Sequence, residues 1–471
     1  MGKYKYLIKN IGLLTISNFG GKVLSFILIP LYTSILSTAE YGTYDIYTTT
    51  ISLVIPILSI NIASGVLRFS IGNEENTNNV LRIGLKFCIK ATIIFCILIG
   101  VNFWLKIISI FNDFPICLIL YMIINMFYDL ISQFSRGIDR IADIAVAGLL
   151  NSVTMLSLNI LFLVVFHMGL EGYFWATILS YAIPLSYLCI RINIWKFFLK
   201  TSIDKKLEKN MKKYSIPMAF STIAWWVTNV SDRYIVTWIC GVAVNGIYSV
   251  AYKIPSLLNV FQSIFNQAWM LSAVQEYNKD KNKFYSKVYV IYNVGMVIVC
   301  SGLILLDKVL ATILFSKDFY VAWRYAPFLM ISVVFGAMAG LLEGIFSATR
   351  RTDISAKTTV LGALINLVLN IELVSFWGAI GAAVATMIAY MVVLMTRLIY
   401  VKQFVNLKIT LKKDIICYIL LLGQAVVWIM NMHQILSYVL EIVFTVVVIL
   451  LYKNEIEDLL NKILQKKNGK I

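Results

Sequence analysis

Charge is what this sequence is short of. Only 14% of its 471 residues are Asp, Glu, Lys or Arg, against 60% hydrophobic, where soluble domains carry about 25% charged residues. A soluble multidomain enzyme is excluded, and no stretch is long and polar enough for an independent soluble domain. Histidine is almost absent: His167 and His433 are the two, too few and too far apart for a metal ligand set. Seven cysteines (Cys88, Cys96, Cys117, Cys189, Cys240, Cys300 and Cys417) lie scattered, without CxxC spacing and mostly inside apolar runs. They read as small buried hydrophobes, with neither disulfides nor a metal indicated. Acidic residues are in deficit, 24 against 41 Lys+Arg, for a net charge of +17. The basic residues sit between apolar runs rather than on one polar face, so they read as membrane-topology signals and nucleic acid is not expected as a partner. Enzymatic motifs are missing as well. Gly20-Gly21-Lys22-Val23 lacks the leading glycine and the Ser/Thr of a phosphate-binding loop. There is no GxSxG elbow, no HExxH, and no paired carboxylates in a sizeable loop. ATP hydrolysis is excluded on these grounds, and no cofactor is called for.

What the chain has is apolar length. Its mean hydropathy is +0.82, and a membrane helix needs about 20 apolar residues. Apolar runs between polar breaks give fourteen candidate spans, at 11–36, 43–67, 84–104, 115–135, 145–167, 172–194, 214–239, 246–274, 287–306, 323–349, 357–376, 378–400, 414–431 and 434–452. The first run is too long for a signal-peptide core, although Lys3, Lys5 and Lys9 precede it. An even count puts both termini on one side. Thirty-three of the 41 basic residues then fall on that side, and only Lys106, Lys308, Lys317 and Arg324 on the other. The positive-inside rule makes the termini cytoplasmic.

The halves of the chain repeat. Slid by 204 positions without gaps, residues 17–67 superpose on 221–271, and 12 of the 51 pairs are identical, among them Ala39, Gly42, Tyr44 and Leu67. Spans 1 and 2 thus correspond to spans 7 and 8. A six-span offset keeps the orientation, so the halves form a parallel repeat about an axis along the membrane normal. The expected organisation is a cytoplasmic segment 1–10, an N-lobe 11–200, a basic linker 201–213, a C-lobe 214–400, an extra helix pair within 414–452, and a basic cytoplasmic tail 453–471. The fold class is all-α integral membrane.

Particular residues carry a resemblance. Asn18-Phe19-Gly20-Gly21-Lys22 through Pro30, then Glu40-Tyr41-Gly42-Thr43-Tyr44, and in the second half Asp232-Arg233-Tyr234 and Asn245-Gly246-Ile247-Tyr248-Ser249-Val250-Ala251-Tyr252-Lys253, resemble the polysaccharide flippases of O-antigen and capsule synthesis. These belong to the multidrug, oligosaccharidyl-lipid and polysaccharide (MOP) exporter superfamily. The resemblance implies a MATE-like fold of two six-helix lobes, alternating access, and export of a polyprenyl-pyrophosphate-linked oligosaccharide across a bacterial cytoplasmic membrane. Membrane lipids, a polysaccharide polymerase and glycosyltransferases are the partners it implies. Three other functions fit some of the sequence: a cation-coupled multidrug exporter or a lipid II flippase of the same fold, and more remotely a membrane-bound polymerase or glycosyltransferase. The multidrug reading calls for a cavity of acids and aromatics, whereas the deep positions here are at least as basic as acidic. The enzyme reading calls for larger outer loops than these.

Ionisable residues inside spans cost several kcal/mol, so they usually face a cavity or a partner. Lys22 lies eleven residues into span 1, and Arg233 and Lys253 lie six and seven residues inside the outer ends of spans 7 and 8, level with each other. These three are the candidate cavity residues for an anionic headgroup. Asp232 is the competing reading, a carboxylate that neutralises Arg233 or Lys253. Asp45, the repeat counterpart of Ser249, is a candidate gate or cap. Asp129 and Glu343 could couple transport to Na⁺ or H⁺, with the membrane potential as the other driving force; Glu441 is a further buried acid. Lys90 is close enough to a span end to snorkel. Tyr32, Trp225 and Trp226 could stack on sugars or serve as interfacial anchors.

Overall fold

The computed structural model describes residues 26–71, 77–198, 204–275, 281–349, 351–407, 409–430 and 433–458. Among these the regular structure is helical throughout, the form in which an apolar chain satisfies its backbone polar groups in hydrocarbon. In order the helices are α1 (Ile29–Ile35), α2 (Thr38–Leu58), α3 (Ile62–Ser70), α4 (Thr77–Leu105), α5 (Pro115–Gly137), α6 (Ile141–Asn159), α7 (Gly169–Ile192) and α8 (Lys205–Cys240). They continue as α9 (Val242–Ala251), α10 (Pro255–Gln275), α11 (Lys281–Leu305), α12 (Asp307–Leu314), α13 (Ala326–Ala348), α14 (Thr352–Trp377), α15 (Ala379–Val401), α16 (Leu411–Ile429) and α17 (Gln434–Leu451). Among the described residues nine helices are long and apolar enough to cross a membrane, and α2 with α3, bent by 60°, makes a tenth. Each of the fourteen expected spans falls on one of these helices or on a broken pair, the first only from residue 26 onward.

The chain forms two compact units, Met1–Val230 and Ser231–Ile471. The divide falls inside α8, later than the basic stretch 201–213, because the first part of α8 is bound to the first unit. Lys86 Nζ meets Glu208 Oε2 at 2.8 Å, and this bond, aided by Lys212, holds the Glu208 carboxyl below the usual glutamate range. Asn61 Nδ2 donates to Thr222 Oγ1 at 3.1 Å, and Trp226 Nε1 donates to the Thr49 carbonyl at 3.0 Å. In the second unit α13 is central, buried along most of its length and packed by α10, α11 and α15.

Each unit carries its copy of the repeat. Helix α2 begins at Thr38 and α9 at Val242, the same position under the 204-residue shift. A capping box opens α2: Glu40 N–H donates to Ser37 Oγ at 3.2 Å, and Ser37 N–H donates to Glu40 Oε2 at 2.8 Å. In α9 the equivalent cap position is Gly241, with φ +93°. The buried faces also agree: Tyr41, Gly42, Asp45, Ile46 and Tyr47 in α2 correspond to Asn245, Gly246, Ser249, Val250 and Ala251 in α9, all buried. Where the helices break they differ. The α2–α3 break has Ile60 and Asn61 at positive φ, while α9 ends at a short turn over Tyr252–Ile254 and Pro255 starts α10.

A second stretch of the repeat emerges only in the structure. Leu158-Asn159-Ile160 on α6 matches Leu369-Asn370-Ile371 on α14, and both asparagines are fully buried, each donating Nδ2 to the carbonyl four residues back. Gly169, Gly172, Ala176 and Thr177 of α7 match Gly378, the residue before α15, and Gly381, Ala385 and Thr386 within it, and Gly169 and Gly378 both take positive φ. The first unit spends two more residues between these landmarks. They are absorbed where α6 widens into a π-helical stretch, Ile160–Val165, and in the turn after it.

The last two helices are sewn to α11 by buried side chains. Asn293 Nδ2 donates to Asp414 Oδ1 at 2.9 Å, Tyr418 O–H donates to Asn293 Oδ1 at 2.7 Å, and Tyr452 O–H donates to Asp414 Oδ1 at 2.9 Å. Further along, Ser301 Oγ meets Thr445 Oγ1 at 3.1 Å, and Trp428 Nε1 donates to the Ile304 carbonyl at 2.9 Å. Bonds of this kind hold membrane helices together where no hydrophobic effect is available.

Gly381 is the tightest glycine of the second unit. A Cβ there would run into the Leu373 carbonyl and the Val374 nitrogen, backbone atoms that no rotamer change can move. Gly381→Ala is therefore expected to destabilise by at least the 1–3 kcal/mol or so of ordinary overpacking, read as lost yield and a lower melting temperature in detergent. At Gly100, where a Cβ meets nothing within 4 Å, the same substitution should leave both unchanged.

Candidate functional site

The second unit gathers charge and phenol groups where the end of α8 meets α9. Asp232 is buried at 3% exposure. Its Oδ2 accepts from Tyr248 O–H at 2.7 Å and also from Tyr252 O–H. Its Oδ1 accepts from the Arg233 backbone N–H at 2.9 Å. One helical turn separates Tyr248 from Tyr252, so both hydroxyls reach the same carboxylate. The Arg233 guanidinium lies over the Tyr252 ring, 5.1 Å from its centroid, a cation–π contact. Tyr252 thus serves the acid with its hydroxyl and the cation with its ring. Lys253 follows Tyr252 in the turn that interrupts the helix; it is partly buried, and among the described residues no carboxylate oxygen lies within 4 Å of its ammonium. Asp232 thus meets two tyrosines, Lys253 has no described acid partner, and Arg233 is packed on one of those tyrosines.

The matching place in the first unit holds no acid–arginine pair but a stack of tyrosines. Tyr44, the counterpart of Tyr248, stacks on Tyr173 with ring centroids 3.8 Å apart, and Tyr32 lies 4.4 Å from Tyr173 on its own approach. Tyr44 O–H and Thr177 Oγ1 are 2.9 Å apart. Thr177 and Tyr181 correspond to Thr386 and Tyr390 of the second unit, and Thr386 Oγ1 accepts from Asn366 Nδ2 at 3.2 Å. Tyr181 extends the aromatic set toward Tyr128, at 5.4 Å. The two sites are thus variations on one scaffold, aromatic in the first unit and ionic in the second. Shifting α7 onto α15 by 209 positions, with a gap in α6, is the comparison that would have found Thr177, Tyr181, Thr386 and Tyr390 in the sequence.

The other expected residues distribute as follows. Lys22 lies outside the described residues. Asp45 is buried at 7%, on the face of α2 that matches Ser249. Lys90 is exposed. Asp129 is partly buried and accepts from Gln133 Nε2 at 3.3 Å. Glu343 is about half exposed, and its Oε2 is held by Arg397 Nη1 at 3.1 Å, so a coupling cation there would compete with a guanidinium. Trp226 is buried with its indole N–H spent on α2, whereas Trp225 is 63% exposed. Tyr32 is buried in the tyrosine stack.

Arg397 is the residue the sequence conceals. Four residues before the end of α15 it counts as one more topology-setting cation, yet it is 3% exposed. All five of its N–H groups are used. Nε donates to Thr358 Oγ1, Nη1 to the Ala339 carbonyl and Glu343, and Nη2 to the Ser355 carbonyl and Thr359 Oγ1, at 2.7–3.4 Å. One side chain thus ties α13, α14 and α15 together.

Known proteins bear on this arrangement. Over 410 residues the chain is 21% identical to the probable low-salt glycan biosynthesis flippase Agl15 of Haloferax volcanii, covering 84% of this chain and 83% of that protein. Among solved structures, the lipid II flippase MurJ in an inward closed conformation superposes with a TM-score of 0.69 at 12% identity, covering 94% of this chain and 99% of the other. An inward-facing multidrug resistance MATE family transporter of the MOP superfamily superposes with a TM-score of 0.66 at 15% identity, covering 83% and 94%. The fold is that of these transporters. A family model described as polysaccharide biosynthesis protein matches residues 7–271, more than half of the sequence, and the chain belongs to that family.

Proposed function

We propose that this protein is a transporter and not an enzyme, a flippase that moves a polyprenyl-pyrophosphate-linked oligosaccharide from the cytoplasmic to the outer leaflet of a bacterial cytoplasmic membrane, with both termini in the cytoplasm. The observation that carries this reading is Lys253. A lysine in the break of an apolar helix, without a carboxylate within reach among the described residues, is costly at rest and stabilised by an anion that comes and goes. Arg233, packed on the neighbouring Tyr252, adds a second cation on the same unit. Pyrophosphate is an anion of the right kind, since it cannot cross hydrocarbon unshielded, and the aromatic set of the first unit suits sugar rings. Alternating access moves the opening from one side to the other. An inside-negative potential favours outward passage of two charges by about 4.6 kcal/mol per 100 mV if both cross the whole field, so the potential can drive export. Na⁺ or H⁺ coupling through Asp129 or Glu343 is the alternative driving force.

The test is deletion of the gene followed by mass spectrometry of the lipid fraction. A polyprenyl-pyrophosphate oligosaccharide should accumulate on the cytoplasmic side and disappear on complementation. Accumulation of lipid II instead would assign the peptidoglycan precursor, and an unchanged lipid profile with new drug sensitivity would replace the flippase by a multidrug exporter.

A further inference from the structure

The first unit gathers two arginines on one buried acid, at the corner where α6 begins and α7 ends. Asp143, in the first turn of α6, is 7% exposed. Its Oδ1 accepts from Arg191 Nε at 2.9 Å and from Tyr187 O–H at 3.1 Å, both on α7. Its Oδ2 accepts from Arg140 Nη1 at 3.3 Å, and the same nitrogen donates to the Arg191 carbonyl at 3.1 Å. The two guanidiniums are thereby drawn to opposite oxygens of a single carboxylate. The acid is covered but the arginines are open, with side chains 43% and 54% exposed. Neither guanidinium makes a further hydrogen bond among the described residues. Arg191 keeps both terminal nitrogens for another acceptor, and Arg140 keeps Nε and Nη2.

The scaffold does not require the second arginine. Shifting α6 onto α14 by the 211 positions that match Asn159 with Asn370 puts Arg140 on Arg351. There the charges close one to one: Arg351 Nε and Nη2 meet the two oxygens of Asp353 at 2.9 and 3.1 Å, and the guanidinium packs over the Phe404 ring. The counterpart of Arg191, under the 209-residue shift of α7 onto α15, is Tyr400. Arg191 is thus an addition peculiar to the first unit, and nearby groups do not cancel it. Asp139, the other acid of the α5–α6 turn, is exposed, and neither arginine forms an ion pair with it within 4 Å. Arg136 at the end of α5 and Lys196 just after α7 are exposed as well. Four cations face two acids at this corner, so it stays positive even with Asp139 counted in full.

We propose that Arg140 and Arg191, oriented by Asp143, bind the phosphate of an anionic phospholipid. A phosphodiester offers two unesterified oxygens, and guanidinium forks are suited to them. The apolar half of the ligand is provided for too. Val146, Leu149 and Val153 follow one another along an exposed face of α6 that starts one turn beyond Asp143, and Ile190 is exposed on α7 beside Arg191. Trp195, 72% exposed just past the end of α7, stands where tryptophans meet headgroups. A basic pocket between helix ends above an apolar face is the arrangement that takes a lipid headgroup with its chains. The positive excess selects phosphatidylglycerol over a phosphatidylcholine, whose own cation would be brought against these four. The inference does not rest on the transported substrate, and its test reads lipid binding rather than export, so the two proposals can fail separately.

The test uses the full-length chain, delipidated in detergent and titrated by native mass spectrometry with phosphatidylglycerol and phosphatidylcholine of equal acyl chains. The unaltered chain should hold its first phosphatidylglycerol more tightly than its first phosphatidylcholine. Arg191→Ala should weaken the phosphatidylglycerol adduct by about tenfold or more, the loss of one charge-assisted contact, and leave phosphatidylcholine unchanged. That variant keeps Asp143 paired with Arg140, the one-to-one arrangement of the second unit, so it should still fold. Arg351→Ala removes an exposed arginine already neutralised by Asp353 and should bind phosphatidylglycerol like the parent. Thermal unfolding separates lipid from free anion: phosphatidylglycerol should raise the melting temperature of the parent, and inorganic phosphate at the same concentration should not. No preference between the two lipids in the parent overturns the proposal without any variant. Equal phosphatidylglycerol affinity in parent and Arg191→Ala overturns it as well. An equal rise with inorganic phosphate would make the corner a site for free anions and overturn the lipid assignment.

Discussion

Arg397→Leu should cost the second unit most of its stability. The guanidinium satisfies five acceptors drawn from two helices, α13 and α14, and leucine leaves the Thr358 and Thr359 hydroxyl oxygens without that donor. Removing one partner of a buried charged network typically costs about 3–5 kcal/mol, a large share of the stability of any domain. The check is fluorescence-detected size-exclusion of the solubilised protein, where the monodisperse peak should fall several-fold. Arg397→Lys should recover part of it, with the charge kept but the five-donor fork lost. Glu343→Gln should recover nearly the full parent value, because Glu343 is half exposed and such pairs contribute at most about 1 kcal/mol. If Glu343→Gln were as damaging as Arg397→Leu, the arginine would be held by its ion pair and not by the neutral acceptors around it.

Removing the candidate cavity cations should abolish export while leaving the protein in the membrane. A charge-assisted hydrogen bond contributes roughly 1.5–3 kcal/mol, so each of Lys22→Ala, Arg233→Ala and Lys253→Ala should slow export by about tenfold to a hundredfold, and the triple variant should fail to complement a deletion strain. Lys22→Arg should retain activity, since charge matters there more than shape. Arg233 carries a second expectation. Its guanidinium packs on the ring of Tyr252, whose hydroxyl donates to Asp232, so Arg233→Ala should also lower expression if the acid depends on that cation. Asp232→Asn in the same chain should then restore expression without restoring export, a double-mutant signature of coupling. Normal transport by the triple variant would remove the basic mechanism and shift substrate contact to the tyrosines of the first unit.

The span pattern was legible in the sequence because hydrophobic length is a local property. The pairing of α9 with α2 was legible for a related reason: Thr38 and Val242 coincide under the gapless shift, although the caps before them differ and the apolar runs put both starts several residues late. The limits of that method are physical too. Two extra residues at the widened end of α6 break the register, so the correspondence of Thr177 and Tyr181 with Thr386 and Tyr390 is missed by the 204-residue slide that aligns the first spans and needs a shift of 209. Asp232 was read as a partner for a cation because carboxylates in apolar surroundings need one. Its bonds to Tyr248 and Tyr252 depend on α8 and α9 folding back on each other, which no spacing reveals. Arg397 was hidden by position, since a cation near a span end is normally a snorkelling anchor. Within the second unit Asp232 and Arg233 meet at Tyr252, with Lys253 next to it in the chain, while Glu343 is held by Arg397.

The bonds between α11 and the last two helices bear on how the protein is made. Asn293 finds Asp414 only 121 positions later in the chain, and Ser301 finds Thr445 after 144. During synthesis α11 therefore enters the membrane with its amide and hydroxyl unmet, and it waits there while α12 through α15 are threaded in. A ribosome that stops before Ile429 leaves behind a bundle with a polar stripe turned toward lipid, the kind of surface that membrane quality-control proteases recognise. Completion of the chain is thus the event that seals α11, and degradation of nascent chains should compete with it until the final helix has been released.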